Sequence, residues 1–402
     1  MHESQPQHQA TGAMLLVVCA GMVGALNIGK VPSTLPALQQ SFGMSLVEAS
    51  FLVSMFQAAG MLLGLFGGVL ADRFGARRVM SAGLMVLALA SAVGALSASA
   101  AILLISRALE SAGFLLTVLP GPALLRRVVA VRRFSYALGW WGSYMPAGTS
   151  LGLALTPWLT GFGGWQLAWW ATASAAALMS GLVWRSLPAD PPSHAVQVRV
   201  LALARNTICT PGPWLLAACF GLYAGQFISV FGFLPTVYQQ AGIAPTLAGL
   251  LTALGVLVNV LGNVGAGVLM QRGISRTLVM SVTSGVMAVC AVMIFSDSLA
   301  FGLRYTAVLM FSTVGGLIPG TLFTTAPRFA PYPGAVSTTT GLMQQGSSIG
   351  QFFAPPLVAA VATMSGGWQG GGLMIAAIAV LNTGVAVAVG RLDRALEMRR
   401  TR

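Results

Sequence analysis

Apolar residues run along this chain in blocks of roughly 18 to 28, separated by short polar breaks, and blocks of that length are what a bilayer-crossing helix needs. Twelve blocks can be placed, near 13–37, 46–71, 79–97, 101–124, 135–161, 166–186, 213–238, 246–270, 277–296, 299–325, 334–363 and 368–390. Several exceed the minimum for spanning, so tilt and bending are expected. The longest polar gap, 187–212, separates six blocks from six. The pattern predicts an all-α integral membrane protein of twelve transmembrane helices in two six-helix bundles related by pseudo-twofold symmetry. It divides into a tail at 1–12, a bundle at 13–186, a central loop at 187–212, a second bundle at 213–390 and a tail at 391–402. The opening MHESQPQHQATGA carries no basic region, and no small-residue cleavage site stands out after it, so the first block reads as a retained helix.

Composition strengthens the membrane reading. Hydrophobic residues make up 56% and charged residues 7%, against roughly 25% charged in soluble domains. The formal charge of +13 alone suggests nucleic acid, but its distribution argues otherwise. Eighteen of the 21 basic residues fall in the even-numbered connections and the C-terminal tail, among them Arg126, Arg127, Arg132, Arg133, Arg185, Arg199, Arg205, Arg272, Arg276 and Arg328. Opposite loops hold almost none. By the positive-inside rule both termini and the central loop are cytoplasmic. Cys19, Cys209, Cys219 and Cys290 show no metal or disulfide spacing. No phosphate-binding loop, catalytic triad or metal cluster is evident, so no enzyme, cofactor, metal or nucleic-acid partner is expected.

The chain resembles itself at an offset of 199 residues. Leu35 opens "LPALQQSFG" and Leu234 opens "LPTVYQQAG"; Gly68 opens "GVLADRFGARR" and Gly267 opens "GVLMQRGISRT". Gly142 pairs with Gly341 and Pro157 with Pro356. Two similarly oriented halves, with a polar site near the midplane, are one way transporters are built.

The segment Gly68-Val-Leu-Ala-Asp-Arg-Phe-Gly-Ala-Arg-Arg78 resembles the loop between helices 2 and 3 of the major facilitator superfamily, on Gly68, Leu70, Ala71, Asp72, Arg73, Gly75, Arg77 and Arg78. The resemblance extends over the whole chain. It implies secondary transport by alternating access, with this loop as a gating element in which Asp72 stabilises a helix N-terminus. "LLISRALESAGF" resembles the family's Arg-x-x-Gln/Glu-Gly pattern on Arg107 and Glu110, with Ser111 in place of glycine, and implies a role for these two residues in proton coupling. "GSYMPAGTSLG" matches the helix-5 pattern of drug antiporters poorly, and Asn27 stands where many of them carry an aspartate.

Lys30 is the chain's single lysine and lies inside the first block, three residues from Asn27 on one helix face. Charged groups inside a span are costly and usually mark a pathway. Lys30 reads either as a cation that contacts solute or pairs with Glu110, or as a snorkelling or structural residue. Further candidates for the substrate cavity are Gln57, Trp141, Tyr144, Tyr223, Gln226, Asn259, Gln344 and Gln345; the bland alternative for each is helix–helix glue. Trp165, Trp169 and Trp170 read as interface anchors. The expected activity is proton-coupled efflux of a small organic solute across a bacterial inner membrane by a monomer. The alternatives are uptake of a small organic or inorganic anion and, less favoured, a transporter-fold sensor.

Overall fold

The computed structural model describes residues 4–66, 74–130, 133–190, 205–332 and 335–400. Gly68, Leu70, Ala71, Asp72, Arg73, Arg132, Arg199 and Arg402 lie outside them. Among the described residues, eleven stretches are long and apolar enough to cross a membrane. The longest, Tyr136–Ser186, is broken by non-helical backbone at Gly163 and Gly164 and holds two crossings. Twelve helices result: α1 (Ala10–Phe42), α2 (Leu46–Leu63), α3 (Ala76–Ala95), α4 (Ala100–Val128), α5 (136–162), α6 (165–186), α7 (Pro211–Gln240), α8 (Pro245–Gln271), α9 (Arg276–Ile294), α10 (Phe301–Phe329), α11 (Val336–Met364) and α12 (Trp368–Ala395).

Local chemistry sets the helix ends. Ser45 and Glu48 form a reciprocal capping box at the start of α2, and Ser99 accepts from the Ile102 N–H at the start of α4. The turns after α1 and α7 each need a left-handed residue, and each has glycine there: Gly43 (φ 63°) and Gly242 (φ 82°), 199 residues apart. The sequence repeat therefore survives as a backbone repeat. Helix α2 tightens to a 3₁₀ turn at Met55–Gln57, and a second 3₁₀ turn, Gly64–Phe66, follows its end.

Packing groups the chain into two compact units. Unit 1 holds residues 1–44, 67–198 and 238–253; unit 2 holds 45–66, 199–237 and 254–402. Helix α2 thus packs with later helices, where Gln57 donates to Gln351 Oε1 at 3.0 Å and Gln345 donates to the Met61 carbonyl at 2.8 Å. Within unit 1, α1 and α5 touch backbone to backbone. A Cβ on Gly29 would overlap the Thr149 carbonyl, and one on Gly148 the Met22 carbonyl. Unit 2 uses the same device where Gly221 meets Gly350 (α7–α11) and Gly262 meets the Thr313 carbonyl (α8–α10). Small residues allow this approach in lipid, where packing rather than the hydrophobic effect holds helices together.

Candidate functional site: a buried charged cluster

Four helices of unit 1 bring polar side chains to one point. Helix α1 supplies Asn27 and Lys30, and α4 supplies Arg107 and Glu110. Helix α6 supplies Trp169 and Thr172. Each pair is spaced i,i+3 and so shares a face; α3 adds Ser91. Asn27, Lys30, Ser91 and Glu110 are 0% exposed and Arg107 is 1% exposed.

The three N–H groups of the Lys30 ammonium are shared among four acceptors, Glu110 Oε1 at 2.6 Å, Asn27 Oδ1 at 2.7 Å, Ser91 Oγ at 2.8 Å and Thr172 Oγ1 at 3.1 Å. Its Nζ also lies 4.6 Å from the Trp169 ring centre, within cation–π range. Ser91 donates to Glu110 Oε1 at 2.5 Å. The other carboxylate oxygen, Oε2, is held by Arg107, which also donates to the Asn27 carbonyl at 3.0 Å. Both Glu110 oxygens are therefore engaged by cations. A buried ion in lipid is tolerated only when paired and hydrogen-bonded, and this arrangement meets that condition. Lys30 does not snorkel: its four hydrogen-bond partners lie inside the helix bundle.

The repeat provides a comparison within one chain. At the 199-residue offset, Lys30, Arg107 and Glu110 correspond to Ser229, Thr306 and Leu309 of unit 2, and Ser91 to Cys290. Asn27 corresponds to Gln226, which is buried, donates to the Leu222 carbonyl at 2.9 Å and leaves its own Oε1 without a partner. Trp169 corresponds to Trp368, which packs on Phe233 and Phe295. The two units share a plan, and only unit 1 carries ions at these positions.

The other predicted positions fall elsewhere. Trp141 and Tyr144 pack together with ring centres 4.5 Å apart, against Gly21, in the apolar core of unit 1. In unit 2, Asn259 donates to Tyr223 Oη at 3.0 Å and to the Ser312 carbonyl at 2.8 Å. Gln344 is exposed. Trp170 is 42% exposed, but Trp169 is fully buried over Lys30, so the reading of Trp169 as an interface anchor is corrected. Ser91 and Thr172 were missed because single hydroxyls are common in apolar helices, and Trp169 was read as an anchor because tryptophans are common at helix ends. A Trp–Trp match at the repeat offset was the available signal.

A second charged group sits at the start of α3. Gly75 precedes the helix with φ 93°, and the Arg77 and Arg78 N–H groups donate to Asp190 at 3.1 and 3.0 Å. The Arg127 guanidinium binds Asp190 Oδ1 at 2.7 Å. Burial pushes the Asp190 carboxyl up, but the Arg77 N–H, the Arg127 side chain and the Arg78 N–H outweigh it and hold it below the usual carboxylate range. The Arg77 guanidinium in turn donates to the Trp184 and Leu187 carbonyls at the end of α6. Asp190 lies in the polar gap after α6, and nothing in its local sequence singles it out. Unit 2 repeats the theme: Asp393 lies 3.5 Å from Arg276, the counterpart of Arg77, and 3.0 Å from Arg328.

A family model described as Major Facilitator Superfamily matches residues 14–355. The chain belongs to the major facilitator superfamily. It is therefore a multi-pass membrane protein of a transporter family. Among curated relatives it is 28% identical over 268 residues to the cyanate transport protein CynX of Escherichia coli K12, covering 65% of this chain and 66% of that one. It is 31% identical over 180 residues to the puromycin resistance protein of Streptomyces alboniger, covering 44% of this chain and 34% of that one. The matched part is thus less than two thirds of each relative's length. Among solved structures, a bacterial homologue of the human lysosomal transporter Spinster aligns over 97% of this chain and 98% of its own. Its TM-score is 0.77 at 13% identity, a likeness of fold.

Proposed function

We propose that this superfamily member is a proton-coupled secondary active transporter, not an enzyme, that exports a small organic solute as a monomer from a bacterial cytoplasm. The inner membrane is its site, with both termini cytoplasmic. The single observation that carries the coupling is the fully buried Lys30–Glu110–Arg107 cluster, whose counterparts in unit 2 are uncharged. An ion-bearing group sealed inside a span is the kind of element that proton relays use. In this reading the bundles 13–186 and 213–390 are the rocking bodies and Gly75, Arg77 and Arg78 belong to the gate. Asn27, Gln57, Trp141, Tyr144, Tyr223, Gln226, Asn259, Gln344 and Gln345 are candidates for the solute path. Export draws support from relatives named for resistance and export, of Streptomyces alboniger and Streptomyces glaucescens.

A second reading is uptake of a small anion. It rests on the similarity to the cyanate transport protein and on two buried cations facing one buried acid. Purified protein in liposomes separates the two. With an imposed pH gradient, labelled puromycin and labelled cyanate are offered on either side. Proton-driven antiport of puromycin supports export, and co-transport of cyanate with protons supports the second reading. Transport of either probe that ignores the pH gradient refutes proton coupling.

A further inference from the structure

The charge of the cluster can be counted in each protonation state. With Lys30 and Arg107 protonated and Glu110 ionised, it carries one net positive charge. Adding a proton to Glu110 would leave two buried cations with no anion. That proton would also compete with Lys30 and Ser91, which both donate to Oε1, or with Arg107 at Oε2. Removing a proton from Lys30 instead brings the net charge to zero and leaves the Arg107–Glu110 pair whole. The cost of burying uncompensated charge is large, so the first change is opposed and the second is not. Arg107 is no alternative, because a guanidinium keeps its proton in proteins.

The surroundings of Nζ agree with this count. The charged groups facing it are Glu110 and Arg107, both from α4. Helix α1 contributes the Asn27 amide, α3 the Ser91 hydroxyl, and α6 the Thr172 hydroxyl and the Trp169 ring. Helix α5 reaches α1 at Gly29 through the Thr149 carbonyl; its Tyr144 lies by Gly21, more than two turns away. Asn27 and Ser91 also bond each other at 3.0 Å. Asn27 Oδ1 can accept from a neutral amine, and the Ser91 hydroxyl can turn its single proton to the amine lone pair.

The geometry assigns the exchangeable proton of this cluster to Lys30 Nζ, with Glu110 as its fixed counter-ion and not as the carrier. This rests on the proton coupling proposed above. In the exchange step one N–H bond breaks, its electron pair stays on nitrogen, and the proton passes to water. Here the lysine is sealed from solvent, so exchange belongs to another conformation of the transport cycle.

The test uses the fact that Lys30 is the only lysine in the chain. Full-length protein carrying ¹⁵Nζ-lysine in nanodiscs gives one lysine side-chain signal by nuclear magnetic resonance. It is expected to pass between ammonium and amine positions within the pH range where an imposed gradient drives puromycin or cyanate in liposomes. Lys30→Arg, which cannot release a proton, is expected to lower gradient-driven accumulation at least tenfold while probe–probe exchange continues. A lysine signal fixed at the ammonium position across that range, with wild-type transport still gradient-driven, overturns the assignment but leaves the coupling intact. Wild-type transport indifferent to the gradient overturns the coupling itself. The spectrum reads the lysine even if Lys30→Arg fails to fold.

Discussion

Replacing Glu110 by glutamine removes the carboxylate that holds both Lys30 and Arg107, and it does so in a site fully closed to water. Breaking a buried ion pair by removing one partner costs about 3–5 kcal/mol, mostly for the charge left behind. Lys30→Met is a different perturbation. It leaves the Arg107–Glu110 pair intact and replaces the ammonium with a side chain of similar length. What it loses is the set of bonds to Asn27, Ser91, Glu110 and Thr172 and the contact with Trp169. Side-chain hydrogen bonds inside membranes average about 0.6 kcal/mol, and removing a desolvated charge offsets part of the loss, so about 1–2 kcal/mol is expected. The double variant leaves one cation unpaired instead of two. It is expected to be milder than the sum of the single changes by about 1–2 kcal/mol. Reversible unfolding by sodium dodecyl sulfate in mixed micelles, followed by tryptophan fluorescence, measures all three. If Lys30→Met costs as much as Glu110→Gln, or if the two changes simply add, the charge count behind the cluster is wrong.

The end of unit 1 offers two further tests. Asp190→Asn weakens the acceptor of the Arg77 and Arg78 N–H groups; about 1 kcal/mol of capping is lost, read as about fivefold faster amide hydrogen exchange in the first turn of α3. The folded carboxyl lies below its unfolded value of about 3.9, so its contribution is fully present above that pH and fades only as pH falls through the lower folded value. Exchange in this turn of the wild-type protein is therefore expected to show no loss of protection, after correction for intrinsic rates, between pH 7 and about pH 5; loss in that window contradicts the assignment. Gly75→Ala meets both a φ of 93° and the Asp190 carboxyl, which its Cβ would overlap. Expected destabilisation is about 1–2 kcal/mol, and a melting temperature equal to wild type contradicts it.

How much the sequence disclosed depends on which physical signal each feature leaves. Helix number was legible because a bilayer demands about 20 apolar residues at each crossing, and that requirement writes a long, repeated pattern. Even the break at Gly163–Gly164 coincides with the gap between the fifth and sixth predicted spans. Lys30, Arg107 and Glu110 were legible because charges inside apolar blocks are rare. The Ser91, Thr172 and Trp169 contacts that complete the cluster were not. A serine such as Ser91 sits in a helix at no cost beyond a bond to its own backbone, so its sequence position says nothing about whether a lysine lies opposite. Trp169 was misread because tryptophan favours both interfaces and cations, and only the fold decides which one is near. Asp190 depends on chain reversal after α6, which brings it to the start of α3; local pattern carries no trace of that.

The contrast between the units bears on why the cluster exists. Unit 2 also closes its helices with glycine contacts, at other positions, and keeps a tryptophan at the position matching Trp169. Yet Ser229, Thr306 and Leu309 stand where unit 1 has Lys30, Arg107 and Glu110. The fold therefore packs at these positions without ions. Replacing a buried ion network with well-packed apolar groups is often neutral or stabilising, and in lipid the desolvation cost of the ions is no smaller. Stability alone thus gives no reason for three charged side chains at one buried point in one unit only. A group that must carry and release charge during transport does give a reason, and it fits the asymmetry. A symmetric pair of such sites would double the buried charge without adding a second solute path. If Lys30 were only a brace, the serine and leucine solution of unit 2 would serve unit 1 as well, and unit 1 carrying those residues would fold and still respond to the pH gradient.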